Sequence, residues 1–109
     1  MESNKLIAEF MNVEMEDGLY RFSTPMDDYK TDTLYFDCSW DWLMPVIEKI
    51  ETLGYTFEKN YQHIEEDWQS LIVKGEDILY QEFDPESIKA SYYVVCKLIT
   101  DIILSLIHI

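Results

Sequence analysis

Ser39-Trp40-Asp41-Trp42-Leu43-Met44-Pro45-Val46-Ile47-Glu48-Lys49-Ile50-Glu51-Thr52-Leu53-Gly54 holds a start signal, a stop signal and an apolar stripe in one run. Ser39 suits an N-cap, its hydroxyl accepting a bond from a free N–H of the first turn. Asp41 places a carboxylate near the positive end of the helix. Trp40, Leu43, Ile47 and Ile50 recur at three- and four-residue steps, and Val46 and Leu53 widen the stripe. Glu48, Lys49, Glu51 and Thr52 fall on the opposite face. Gly54 suits the left-handed residue that ends a helix. Pro45 lacks an N–H and crowds the preceding turn. Two readings follow: a short turn over residues 40–43 and then a regular helix with Pro45 near its first position, or one kinked helix. The first is preferred. Trp40 and Trp42 are bulky anchors, as core or as an aromatic binding platform.

Outward from this helix, the N-terminal side predicts a helix from Asn4, as its cap, to about Met11, with Leu6, Ile7, Phe10 and Met11 on one face. Asp17-Gly18 predicts a turn. Leu19–Phe22 alternates as a strand, Ser23–Asp28 is rich in turn formers, and Thr33–Phe36 predicts a strand paired with the first. On the C-terminal side, Tyr55–Glu58, Trp68–Val73 and Ile78–Phe83 predict a three-stranded antiparallel meander. Turns are expected at Asn60 and over Lys74–Asp77. Asp84-Pro85-Glu86 predicts the start of a last helix, which runs into an apolar C-terminus. The expected fold class is α+β, a single compact domain over residues 1–109: helix, β-hairpin, central helix, meander, C-terminal helix.

The 109 residues include 22 acids and 8 bases, a formal charge of −14. Residues 1–37 carry nine acids against three bases, and residues 60–90 carry eight against two. The charge therefore sits in two blocks around a nearly neutral central helix, and the tail is neutral. Such a surface repels nucleic acid and anionic bilayers and attracts a basic protein partner. It equally serves as a solvated surface that keeps the chain dispersed. Hydrophobic residues at 48% and aromatics at 15% specify a packed domain.

Cys38 and Cys96 form no CxxC pair, and Glu2 and Glu9 interrupt any apolar leader, so reduced thiols in a cytoplasmic protein are expected. Neither a catalytic site nor a cofactor is expected. The three glycines are isolated, so there is no phosphate loop. His63 with Glu65, Glu66 and Asp67 lacks the alternating spacing of a cation loop. Cys38, before the central helix, has no assigned base. What remains is recognition by acidic turns flanked by Tyr29, Tyr61 and Trp68. Asp27, Asp28, Glu65, Glu66, Asp67, Trp68, Glu76 and Asp77 are the expected partner-binding residues. Carboxylates beside aromatics mimic a phosphate backbone and stacked bases.

Three stretches resemble a family of small phage and prophage proteins from Bacteroidetes-type gut bacteria. They are Cys38–Glu51, Asn4–Met11 and Lys89–Ile99, together about a third of the chain. The resemblance implies a phage origin, and small phage proteins of this kind include inhibitors of host defence, among them anti-CRISPR proteins. The expected function is inhibition of a host nucleic-acid-directed defence enzyme, most concretely a type II RNA-guided Cas nuclease, through its basic surface. The alternative is a phage accessory or assembly protein that uses the central-helix aromatics. Leu104-Ser105-Leu106-Ile107-His108-Ile109 also resembles one translated frame of a transposase sequencing adaptor. On that reading the natural chain departs from this sequence after about Ile103; the other reading is a genuine apolar helix end. The apolar stretch from Leu98 to Ile109, interrupted by Thr100, Asp101, Ser105 and His108, is too short to span a bilayer.

Overall fold

The computed structural model describes residues 3–23 and 28–107. In chain order its elements are α1 (Ser3–Phe10), β1 (Met15–Glu16), β2 (Leu19–Ser23), β3 (Asp28–Thr31), α2 (Trp40–Thr52), β4 (Thr56–Gln62), β5 (Asp67–Lys74), β6 (Asp77–Asp84) and α3 (Ser87–Ile107). The strands form two antiparallel sheets, β1-β2-β3 and β4-β5-β6. The domain is α+β, in the expected order of helix, hairpin, central helix, meander and C-terminal helix.

The preferred reading of Pro45 is overturned. α2 is one helix with Pro45 inside it. Ser39 O already accepts from Trp42 N at 3.1 Å and Leu43 N at 3.0 Å, so the helix starts a turn before the proline. Trp42 and Leu43 are buried in that first turn, and their burial offsets the bond that Pro45 cannot make. Ser39 occupies the cap position in extended conformation, but its hydroxyl makes no capping bond, contrary to expectation. Gly54 takes φ +99° just past Leu53, and its N–H bonds to Glu51 O, as the stop signal predicts. The buried stripe is Trp42, Leu43, Val46, Ile47 and Ile50; Leu53 is exposed.

The hairpin is shifted from its expected place. β2 pairs with β3, Tyr20 opposite Thr31 and Ser23 opposite Asp28, while residues 33–36 form no strand. A threonine turn ends β3. Thr31 Oγ1 accepts from Thr33 N and donates to Thr33 O, both at 3.1 Å. Tyr35 O then takes the N–H groups of Cys38 and Ser39, so this backbone is spent on the entry to α2. Phe36 is buried there, edge-on to Trp42 at 5.1 Å. Asp17 and Gly18 both have positive φ, forming the expected two-residue turn, and it pairs β2 with the short, unforeseen β1.

The meander runs as expected with longer strands. Asn60 lies inside β4 opposite Gln69 and is no turn. Asp84 Oδ1 accepts from Glu86 N at 2.9 Å, and α3 begins just after this turn rather than at Pro85. Asn4 is the second residue of α1 rather than its cap. It donates to Leu34 O at 3.1 Å and Asp37 Oδ1 at 3.3 Å and accepts from Tyr92 Oη at 2.7 Å. It thereby ties α1, the approach to α2, and α3 together.

In the large sheet, alternate rows face opposite ways. Ile72 and Ser70 face the helices, with Ile72 in the core and Ser70 Oγ 2.9 Å from Ser91 Oγ on α3. Val94, Val95, Leu98 and Ile99 of α3 meet Ile7 of α1 and Leu43, Val46, Ile47 and Ile50 of α2 around that face.

Candidate functional site

The acidic residues expected to bind a partner do not gather in one place. β5 is eight residues long, so the turns at its two ends lie about 25 Å apart. One end holds Glu65 and Glu66, in the four-residue connection between paired Gln62 and Asp67. The other holds Glu76 and Asp77, where Lys74 pairs with Asp77. Asp28 lies in β3, and Asp27 lies outside the described residues.

The Glu65–Glu66 end is the one where acid and aromatic groups meet. Both glutamates are exposed, and Glu66 takes the left-handed φ of 53° that lets the chain re-enter the sheet as β5. Behind them, Tyr61 packs against Trp68 at 5.2 Å and edge-on to His63 at 4.9 Å. Lys59 Nζ lies 4.4 Å from the Trp40 ring centre and 5.7 Å from that of Trp68. Trp40, Lys59, Trp68, Tyr61 and His63 thus form one stack from α2 to the tip of the sheet. The sequence points to Tyr61 and Trp68 beside the acids and to Trp40 as an aromatic anchor, but not to Lys59 or to its bridge between them. The Lys59–Trp40 contact joins residues far apart in the chain, and only the period-two pattern of β4 places Lys59 and Tyr61 on one face. Asp67 is half-buried, and its Oδ1 is buried without a hydrogen-bond partner.

Trp42 does not form a platform. It is 3% exposed and packs edge-on against Tyr35 and Phe36.

The chain's cations are largely engaged. Lys30 pairs with Glu16 at 3.3 Å, Lys89 with Glu86 at 3.2 Å, and Lys97 with Glu82. Glu86 holds the Lys89 ammonium above its usual pKa. Lys49 lies over Phe10 and donates to its carbonyl, and Lys74 lies over Tyr55. Among the described residues, Glu65, Glu66, Glu76 and Asp77 make no ion pair. The field at both ends of the sheet is therefore negative.

Among the described residues, no three His, Cys, Asp or Glu are grouped to hold a metal ion. Cys38 is exposed with its Sγ 3.9 Å from Tyr35 O, and Cys96 is half-buried; neither is in a disulfide. Burial pushes the Cys96 thiol up. In a groove lined by Ser3, Tyr80, Cys96, Lys97, Thr100 and Asp101, Tyr80 is bonded to Asp101 and Lys97 to Glu82. Tyr80 donates to Asp101, and burial followed by that bond pushes the phenol up to about 12. No described helix is long and apolar enough to cross a membrane. No family model, curated protein or solved structure matches the chain.

Proposed function

We propose that the chain is a non-catalytic acidic binding protein of phage origin that inhibits a host nucleic-acid-directed defence enzyme. The concrete target is the basic channel of a type II RNA-guided nuclease, which holds a heteroduplex by its backbone. The observation that carries this reading is the separation of charge. Six of the seven lysines are held in ion pairs or over rings, while Glu65, Glu66, Glu76 and Asp77 at the two ends of the large sheet are exposed and make no ion pair among the described residues. Two acidic ends about 25 Å apart on a rigid sheet suit an extended basic channel better than a single pocket. At the Glu65–Glu66 end, Tyr61 and Trp68 set aromatic faces behind the carboxylates.

The test is charge reversal. Glu65→Lys with Glu66→Lys changes two exposed side chains and leaves the core intact. Inhibition of a susceptible nuclease is expected to weaken about tenfold or more, chiefly through a slower association rate. Unchanged inhibition removes this end of the sheet from the contact. The alternative, an accessory or assembly protein using the central-helix aromatics, finds Trp42 in the core and Trp40 beneath Lys59. Such a partner would have to dock elsewhere on the chain.

A further inference from the structure

The face of the large sheet that points away from the helices is apolar at its centre. Ile78 pairs with Val73 and is 58% exposed; Phe83 pairs with Gln69 and is 44% exposed. Leu71, opposite Glu58 and Gln81, is buried yet stands outside the core cluster, because it points to this outer side. A hydrogen-bonded row of amides crosses the same face: Gln62 Nε2 donates to Gln69 Oε1 at 3.3 Å, and Gln69 Nε2 to Gln81 Oε1 at 2.8 Å. Exposed apolar side chains set among polar ones mark a docking surface. Among the described residues the charged groups on or beside this face are acidic, Glu58 opposite Leu71 and Glu76 in the β5–β6 turn; Asp77 pairs with Lys74, which lies over Tyr55 on the helix side.

That sign selects the occupant. A second copy, at −14 itself, would set carboxylates against carboxylates. Nucleic acid and anionic lipid are repelled in the same way. We infer that this face docks a cationic amphipathic segment of a partner protein. The segment's apolar side covers Leu71, Val73, Ile78 and Phe83, and its Lys or Arg residues meet Glu58 and Glu76. The inference rests on the acidic-binding reading above and adds the surface that fixes the partner's register.

The probe is a labelled helical peptide of about 18 residues, five turns, with leucine on one side and lysine on the other. Its affinity is measured by fluorescence anisotropy. Ile78→Ser with Phe83→Ser is expected to weaken binding about tenfold or more, and Tyr93→Ser, exposed on α3, to leave it unchanged. Phe83→Lys, an exposed single change, gives the same loss if the double variant is poorly folded. The Glu65→Lys, Glu66→Lys pair separates the two readings, since it changes the charged end and not this face. Peptide binding that survives Ile78→Ser with Phe83→Ser overturns the face and leaves the acidic reading standing. Failure of the wild type to bind the peptide also overturns the face, while nuclease inhibition decides the acidic reading independently. Self-association, or binding to anionic vesicles or duplex DNA, that the same variants abolish would overturn it in favour of that occupant.

Discussion

Ser70 and Ser91 are the buried polar side chains of the core, and their roles are unequal. Ser91 Oγ donates to Ser87 O at 2.8 Å, so the 2.9 Å contact between the two hydroxyls is a bond from Ser70 to Ser91. Ser91→Ala strands the Ser70 hydroxyl without an acceptor and is predicted to cost about 1–3 kcal/mol. Ser70→Ala leaves Ser91 its bond within α3 and is predicted to cost about 1 kcal/mol or less. The double variant should cost less than the sum. Urea unfolding of the three proteins measures this, and equal costs for the two single changes would contradict the donor direction. Little of this was legible in the sequence. In Trp68-Gln69-Ser70-Leu71-Ile72-Val73, alternation sets Trp68, Ser70 and Ile72 against Gln69, Leu71 and Val73, two apolar residues on each side, and so does not tell which side faces the core. The fold turns the Ser70–Ile72 side inward, where a hydroxyl partner on α3 makes Ser70 a satisfied core residue.

α2 was legible in its stripe and its stop, because Gly54 and the three- and four-residue spacing are local signals. Its start was not, since burial of Trp42 against Phe36 is a tertiary contact that carries the helix through Pro45. Pro45→Ala restores an N–H for Asp41 O, offset in part by the freer unfolded chain. The variant is predicted to be more stable by about 1–2 kcal/mol. An unchanged or lower midpoint in thermal unfolding would show that the ring's packing outweighs the missing bond. Residues 33–36 misled for the opposite reason: their β-formers alternate, but the Thr31–Thr33 turn and the Tyr35 carbonyl commit the backbone to a connection. The bond from Tyr80 on β6 to Asp101 on α3 links two elements and responds to pH. The folded phenol holds its proton to about 12 against 10.0 unfolded. This stabilisation is complete below pH 10.0 and lost as pH rises through about 12. Tyr92, which burial also raises, acts in the same direction. Tyr80→Phe is therefore predicted to show a shallower fall in stability over that window, and an unchanged slope would contradict the assignment.

At the scale of the whole molecule, the net charge and its two blocks were legible by counting. Their arrangement was not, since only the register of β5 shows that the blocks at residues 65–67 and 76–77 stand at opposite ends of one sheet. The outer apolar face escaped as well: Leu71 and Phe83 read as ordinary core positions until the placement of α3 sets Ser70 and Ile72 inward, and the register shift between Ile72 and Val73 turns Ile78 to the same outer side. Competition for a basic nucleic-acid channel is the proposed activity. The most direct measurement is cleavage by guided type II nucleases with the protein added, across a salt series. Inhibition at low salt is expected to fade as salt rises through the physiological range, because the proposed contact is made between exposed charges. Absence of both inhibition and binding at low salt would contradict it for the nucleases tested. Inhibition indifferent to salt would contradict the acidic mechanism.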